Sequence, residues 1–395
     1  MDHGVTVFIP TYNRPEMLRR TLAFLHQGGS SLPVIVGDGS DSPIVASLNE
    51  RTCRQFGENV EYFRNPPARD IDGALKNFLS RYNVALARVK TPYVACCADD
   101  ELLITDTVVE CAKFLADNND YAACHGMYLS FRYADDAVQI DNMVYQEPSI
   151  DGNDVGGRLM QLYSNYEAPY YAVFRTEIQR RIIQSAQSIE LAIMVETFHS
   201  AAAVSQGKIG RLDKIYYLRN VGVPRHVNAI ESWNQWMVSD FDDFFERYRE
   251  HRGRLINLIS SGEVGDIDGQ KLRRCIDMAF VLYLGWGFQL DYWIDEYLAG
   301  AVSDEDDRGR LRQKIAKKLS QAQPPPVAVG QTAVSFSQRL ASIFGRKTSN
   351  QPPQNPPSQN QLTELTRGRR YTVQVSDRLR ERFSKKEWDA VCRHF

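Results

Sequence analysis

An unbroken run of apolar and small residues, Tyr93-Val-Ala-Cys-Cys-Ala98, leads directly into three consecutive carboxylates, Asp99, Asp100 and Glu101. A run this uniform has no wet face, so it reads as a strand buried on both sides. Such a strand belongs inside a sheet covered on both faces, and its carboxylates then gather at the sheet's carboxyl edge. In open α/β sheets ligands bind at that edge. Three neighbouring carboxylates repel one another, and a hard divalent cation carrying a phosphate group relieves the repulsion. A solvated acidic turn has the same local sequence, so the segments upstream must decide between the two.

Those segments repeat one pattern. Val5-Thr-Val-Phe-Ile9 reads as a second buried strand, which Pro10 is expected to end. Asn13 reads as a helix N-cap, with Pro15 and Glu16 in the first turn. Leu18, Leu22 and Leu25 then recur at helical spacing until Gly28-Gly29. Val34-Ile-Val-Gly37 leads into Asp38-Gly-Ser-Asp41, and Val60-Glu-Tyr-Phe63 leads into Arg64-Asn-Pro-Pro67. A helical stretch from roughly Gly73 to Val89 precedes Tyr93. Strands alternating with helices predict an α/β fold with a Rossmann-like, mostly parallel sheet flanked by helices.

Three of these pieces, in this order and at this spacing, resemble the GT-A-fold glycosyltransferases of the family 2 type. They are Val5 to Arg14 with its Pro-Thr-Tyr-Asn turn, Val34 to Ser40, and Asn83 to Val94 with the acid cluster behind it. Together they cover about the first 105 residues. The resemblance implies a GT-A fold and transfer of a sugar from a nucleoside-diphosphate sugar, a UDP-sugar first among them. A glycan, lipid-linked or other hydroxyl acceptor would receive it, with inversion and with Mn2+ or Mg2+ as cofactor. Ala98 is a departure, since it stands where the family's motif begins with Asp.

The resemblance places Pro10, Thr11, Tyr12, Arg14, Asp38, Arg69 and Asp99 at the nucleotide. Their chemistry suits it: Tyr12 can stack on a base, and Asp38 can accept from a base N–H or a ribose hydroxyl. Arg69 can contact base or phosphate. Asp99 is the ribose-side acid, Asp100 the principal metal ligand, and Glu101 a second ligand, direct or through water. With the register moved by one, Asp99 and Glu101 become the separated pair instead. The metal would neutralise charge on the departing diphosphate. The bland readings are that Tyr12 covers the core and that Asp38 belongs only to a turn.

An inverting enzyme also needs a carboxylate to take the acceptor's proton. The family's base lies near the start of a helix before a Gly-containing turn, which matches Ser188 to Phe198 ahead of Gln206-Gly-Lys208. Glu190 is the first choice and Glu196 the alternative; six apart on a helix, they face different ways. Further on, Lys214 to Arg219 reads as a strand running into Asn220 to His226. The resemblance makes Arg219, Arg225 and His226 contacts for the diphosphate, with His226 also a metal-ligand candidate.

Composition narrows the field. A net charge of −2 over 395 residues argues against a general nucleic-acid binder. Seven scattered cysteines without zinc spacing fit free thiols in a reducing, cytoplasmic setting. No leader is expected before strand one, and the longest apolar run, Ala279 to Phe288, is too short to span a bilayer. The expected organisation is a GT-A domain over 1–228, with a nucleotide half to 105 and an acceptor half after it. A helical subdomain over 229–320 follows, then a Pro/Gln-rich linker over 321–361 and a basic C-terminal element over 362–395. In that element Leu379, Phe383, Trp388, Val391 and Phe395 share helical spacing, so it is expected to dock on a partner or lie peripherally on an anionic membrane, or else to pack back on the body. Two readings of other classes stand beside the transferase: a non-catalytic GT-A-like scaffold in envelope polysaccharide assembly, and a sugar nucleotidyltransferase. The latter would need a Gly-rich basic loop after strand one, where this chain has Pro-Thr-Tyr-Asn-Arg. A retaining transferase is the variant without a protein base.

Overall fold

A computed structural model describes residues 4–27, 31–66, 74–134, 137–222, 233–261, 268–288 and 372–392. Four parallel strands, β1 (Val5–Thr11), β2 (Val34–Asp38), β3 (Val60–Arg64) and β4 (Tyr93–Cys96), stand in the order β3-β2-β1-β4. The helices α1 (Pro15–Gln27), α2 (Pro43–Gln55) and α3 (Ala74–Arg88) connect them. β1, β2 and β4 are buried along their whole length, as their uniform apolar runs require. Pro10 does not end β1, which continues to Thr11 and pairs Pro10 with Gly37 of β2. The Val7 N–H donates toward β2, so position 10 faces β4. β4 stops opposite Phe8, so no ladder bond is asked of the missing Pro10 N–H.

Beyond β4 the sheet turns antiparallel. β5 (Leu102–Leu103), α4 (Thr105–Asp117), β6 (Tyr121–Ala134), β7 (Ala137–Tyr145) and α5 (Val155–Ser164) come first. β8 (Val173–Arg175), α6 (Thr176–Ala186), α7 (Ala192–Gln206) and β9 (Lys208–Asn220) complete this half. β8 runs antiparallel to both β4 and β6, while β9 lies parallel to β6 and antiparallel to β5. Strand order therefore reverses around β1, which has β2 on one side and β4 on the other. That reversal opens a crevice at the carboxyl ends of β1, β2 and β4.

Three further helices, α8 (Trp233–Ser239), α9 (Phe241–Ser260) and α10 (Gly269–Phe288), share one hydrophobic core with the sheet domain. Trp233 donates its indole N–H to Thr197 of α7 at 3.1 Å, and Tyr283 of α10 packs on Tyr163 of α5 with centroids 5.5 Å apart. None of the described helices is long and apolar enough to cross a membrane.

The C-terminal element folds back on the body. β10 (Thr372–Val375) adds in parallel to β7, and α11 (Asp377–Arg382) and α12 (Lys385–Cys392) follow. Leu379, Phe383, Trp388 and Val391 are buried against Phe131, Val138, Ile140, Ile215 and Leu218. The apolar stripe expected to face a partner or a membrane thus covers the sheet itself, because β6, β7 and β9 present a second apolar surface that needs covering. Phe395 and the linker over 321–361 lie outside the described residues.

Candidate active site

Three strand ends build the site. From β1, Thr11 donates its hydroxyl to Asp99 Oδ2 at 2.8 Å. The next residues form the turn into α1, where Asn13 adopts a left-handed φ of 55°, a conformation asparagine tolerates better than most residues. It is not a helix cap: its N–H donates to Ser40 Oγ and its amide to Asp41 Oδ1. Tyr12 donates its hydroxyl to Asp41 Oδ2 at 3.1 Å, so the β1 and β2 turns are laced together and the Tyr12 ring is held by its tip. Burial pushes the Tyr12 hydroxyl pKa up, and the Asp41 charge adds to this.

From β2, Asp38 is fully buried. Its Oδ1 accepts the Ser40 N–H at 2.7 Å, and its Oδ2 accepts from Asn49 at 2.9 Å and from the Tyr62 hydroxyl at 2.8 Å. These bonds shape the Asp38-Gly-Ser turn, and they use both carboxylate oxygens. Arg81, buried on α3, lies against the same turn: a Cβ at Gly39 would meet its Nη1 at 1.7 Å. Only glycine leaves room for that guanidinium. Burial lowers its pKa to about 10, and the charges of Asp38, Tyr12 and Asp99 work against this. Sequence reasoning missed Arg81, although its signal is visible: one arginine inside the buried stripe of Phe78, Tyr82 and Ala85.

From β4 comes the acid turn. Asp99 is fully buried and Asp100 is nearly so. Arg14 Nη1 donates to Asp99 Oδ1 at 3.1 Å and lies 3.4 Å from Asp100 Oδ2. Burial pushes the Asp99 carboxyl up, Arg14 opposes this, and the Asp100 charge reinforces it. Thr21 of α1 donates to the backbone carbonyl of Asp99 at 2.8 Å. Glu101 is fully buried, and its Oε2 accepts the Tyr217 hydroxyl of β9. Glu101 thereby braces the turn from inside. Among the described residues no three His, Cys, Asp or Glu side chains form a group that could hold a metal by itself. The donor set still fits a divalent ion: Asp100 is the most open of the three carboxylates, and magnesium-type sites commonly take one or two carboxylates with substrate phosphates supplying the rest.

The two base candidates separate. Glu190 is exposed in the loop before α7, two residues short of the helix. Glu196 is buried on α7. The hydroxyls of Tyr145, Tyr166 and Tyr283 are each pushed up, first by burial, and the Glu196 charge contributes in all three. Arg219 is buried beside them, its guanidinium 5.3 Å from the Tyr145 ring centroid. Its Nε and Nη1 find no hydrogen-bond partner among the described residues. Tyr171 feels the charges of both Asp100 and Arg219, and Tyr145 those of both Arg219 and Glu196. Arg219 thus acts electrostatically on tyrosines that also feel Asp100 or Glu196. The rings stack in series, with Tyr171 on Tyr217, Tyr217 on Tyr128, and Tyr128 on Tyr145 at 4.6–5.0 Å. Arg69, Arg225 and His226 lie outside the described residues.

The mostly parallel sheet flanked by helices is a fold of the GT-A type. Residues 6–183, a little under half of the chain, match the model of Glycosyl transferase family 2. Among solved structures the chain is similar to S. aureus TarS 1–349 in complex with UDP-GlcNAc, at 16% identity over 80% of this chain and 83% of that one, with a TM-score of 0.48. A longer S. aureus TarS structure gives 14% identity over 82% of this chain and 49% of that one, with a TM-score of 0.46, so the chain spans about half its length. The mannosyltransferase PcManGT from Pyrobaculum calidifontis, in complex with GDP-Man and Mn2+, gives 13% over 81% and 87%, with a TM-score of 0.37. These distant likenesses carry no argument about donor or acceptor. Among curated proteins none matches the chain.

Proposed function

We propose that the chain transfers a sugar from a nucleoside-diphosphate sugar to a hydroxyl acceptor, in one inverting step. What carries this reading is the meeting of Tyr12, Asp99 and Asp100 at the β1 and β4 ends, beside the Asp38 turn of β2, within the stretch that matches the family 2 model. Tyr12 offers a ring to the base, Asp99 an acceptor to the ribose, and Arg14 and Arg219 positive charge to the diphosphate; Pro10 and Thr11 shape the floor. Asp38 and Arg81 act by setting the shape and charge of the turn under the base. A divalent ion, Mn2+ or Mg2+, would be held by Asp100 together with the diphosphate and would supply neutralisation of the leaving group. Glu196 is the base in this reading, not Glu190: it is a carboxylate buried on α7, its charge felt at Tyr145 together with that of Arg219, whereas Glu190 is exposed in a loop. The acceptor is a glycan or a lipid-linked glycan. The free cysteines Cys53, Cys96, Cys97, Cys111 and Cys124, all buried, suit a reducing compartment such as the cytoplasm.

The test is release of nucleoside diphosphate when the purified full chain is incubated with UDP- and GDP-sugars and Mn2+. Slow donor hydrolysis, stimulated by acceptor glycans, is expected. Measurable nucleotide binding with no hydrolysis of any donor would favour the scaffold alternative. Formation of pyrophosphate from a sugar phosphate and a nucleoside triphosphate would favour a nucleotidyltransferase.

A further inference from the structure

The position of Arg14 has a consequence for how a metal reaches the acid turn. One of its nitrogens bridges two adjacent carboxylates, 3.1 Å from Asp99 Oδ1 and 3.4 Å from Asp100 Oδ2. The other Asp99 oxygen is taken by the Thr11 hydroxyl, and Glu101 holds Tyr217. One guanidinium therefore already offsets part of the charge of the two carboxylates from within, while neutral hydroxyls satisfy other oxygens by hydrogen bonding. We propose that Arg14 is the resident counter-cation of Asp99 and Asp100, and that a divalent ion binds there by exchange with it. The proposal rests on the reading that Asp100 holds the metal.

The exchange follows from electrostatics. Two cations within about 4 Å of one another repel strongly in a partly buried site, where the effective dielectric is well below that of water. A metal on Asp100 therefore meets a penalty while Arg14 stays. A donor diphosphate removes that penalty, because its oxygens offer the guanidinium an alternative partner of the geometry arginine suits best. Arg14 stands at the mouth of the site, in the turn just before α1, with its side chain partly exposed, so the head group can turn from carboxylate to phosphate without moving the helix. Metal and diphosphate should then bind with positive coupling beyond their direct contact with each other. Arg14 is in this view a positioning residue that makes the chain reluctant to load metal until donor arrives.

Calorimetric titration of MnCl2 into the full chain, with and without UDP or GDP, tests this on native protein and on Arg14→Gln. Native protein should bind Mn2+ weakly alone and more tightly with nucleotide. Arg14→Gln should bind Mn2+ alone on the order of tenfold more tightly than native, and its gain on adding nucleotide should shrink correspondingly. Arg14→Lys keeps the charge and should stay near native. Melting curves verify folding, and Arg14→Met replaces the Gln variant if that one does not fold. Mn2+ affinity in the neutral variants equal to or weaker than native would overturn the exchange while leaving the metal reading intact. Equal tightening in Arg14→Lys would overturn its electrostatic basis. A native chain that binds no Mn2+ with either nucleotide would overturn the metal reading and the exchange together.

Discussion

The two halves of the sheet solve the problem of buried polar groups in opposite ways. Around β1, β2 and β4 the site is made of short charged and amide side chains, each satisfied across a turn: Thr11 and Arg14 on Asp99, and Asn49 and Tyr62 on Asp38. Around β6, β7 and β9 the polar atoms are phenol hydroxyls on stacked rings, with Glu196 and Arg219 set among them. The first half is a cradle cross-linked by hydrogen bonds, with more carboxylates than guanidinium groups, suited to a ligand of fixed chemistry such as a nucleotide. The second is an aromatic wall with one buried carboxylate behind it, the place this reading gives to the group that takes the acceptor's proton. The difference suggests that binding and proton transfer reside in separate halves and can be broken separately.

Glu196→Gln should break the second half alone. Transfer is expected to fall on the order of 10²–10⁴-fold while nucleotide affinity stays near native. Glu190→Gln should leave both near native; a large loss there with an active Glu196→Gln would return the base to Glu190. Asp38→Ala should break the first half through its fold. It takes the side-chain acceptor from the Ser40 N–H and the nearer of two acceptors from Asn49 and Tyr62, which is expected to cost about 3 kcal/mol in urea unfolding. A native-like unfolding midpoint in this variant would mean that Asp38 serves the ligand more than the turn. Tyr12→Ala should weaken UDP or GDP binding by roughly 1–3 kcal/mol, and Tyr12→Phe, which keeps the ring, by much less.

The smallest effect concerns the helices behind the second half. His251 of α9 lies within 6.1 Å of the Phe198 ring on α7 and 5.6 Å of Trp233, and burial pushes its pKa down to about 4, with Arg254 adding to this. An unfolded histidine titrates near 6.5, so the stability that neutral His251 contributes is present above about 6.5 and lost as pH falls through about 4. The melting temperature should therefore drop more between pH 7 and pH 5 in native protein than in His251→Phe. Equal drops would show that this histidine is not buried in its neutral form.

The same contrast explains what the sequence disclosed. The first half was legible because its residues sit in short motifs next to the strands that carry them: Val5 to Arg14, Val34 to Asp41 and Tyr93 to Glu101. Even there, Asn13 belongs to a turn instead of a helix cap, because Ser40 and Asp41 from another strand claim it. In the second half the stacked Tyr171, Tyr217, Tyr128 and Tyr145 come from four separate segments, and spacing alone cannot bring them together. Glu196 carried a signal that local reasoning undervalued. It is a carboxylate in a helix whose residues are buried nearly all round, where a charge needs a reason. The C-terminal element shows the remaining gap. Its spacing revealed an apolar face, but only the fold shows that Met127, Leu129 and Ile215 belong to the surface it covers.

The central claim is that the crevice at the ends of β1, β2 and β4 binds a nucleoside diphosphate through a metal held on Asp100. Calorimetry of UDP and GDP with native protein and Asp100→Asn, each in Mn2+ and in EDTA, tests it most directly. The account predicts that native protein binds one of the two nucleotides at least tenfold more tightly in Mn2+ than in EDTA, consistent with couplings of 5–150-fold, and that Asp100→Asn loses the difference. Equal affinity of native protein in Mn2+ and EDTA, or an undiminished metal effect in Asp100→Asn, would contradict it.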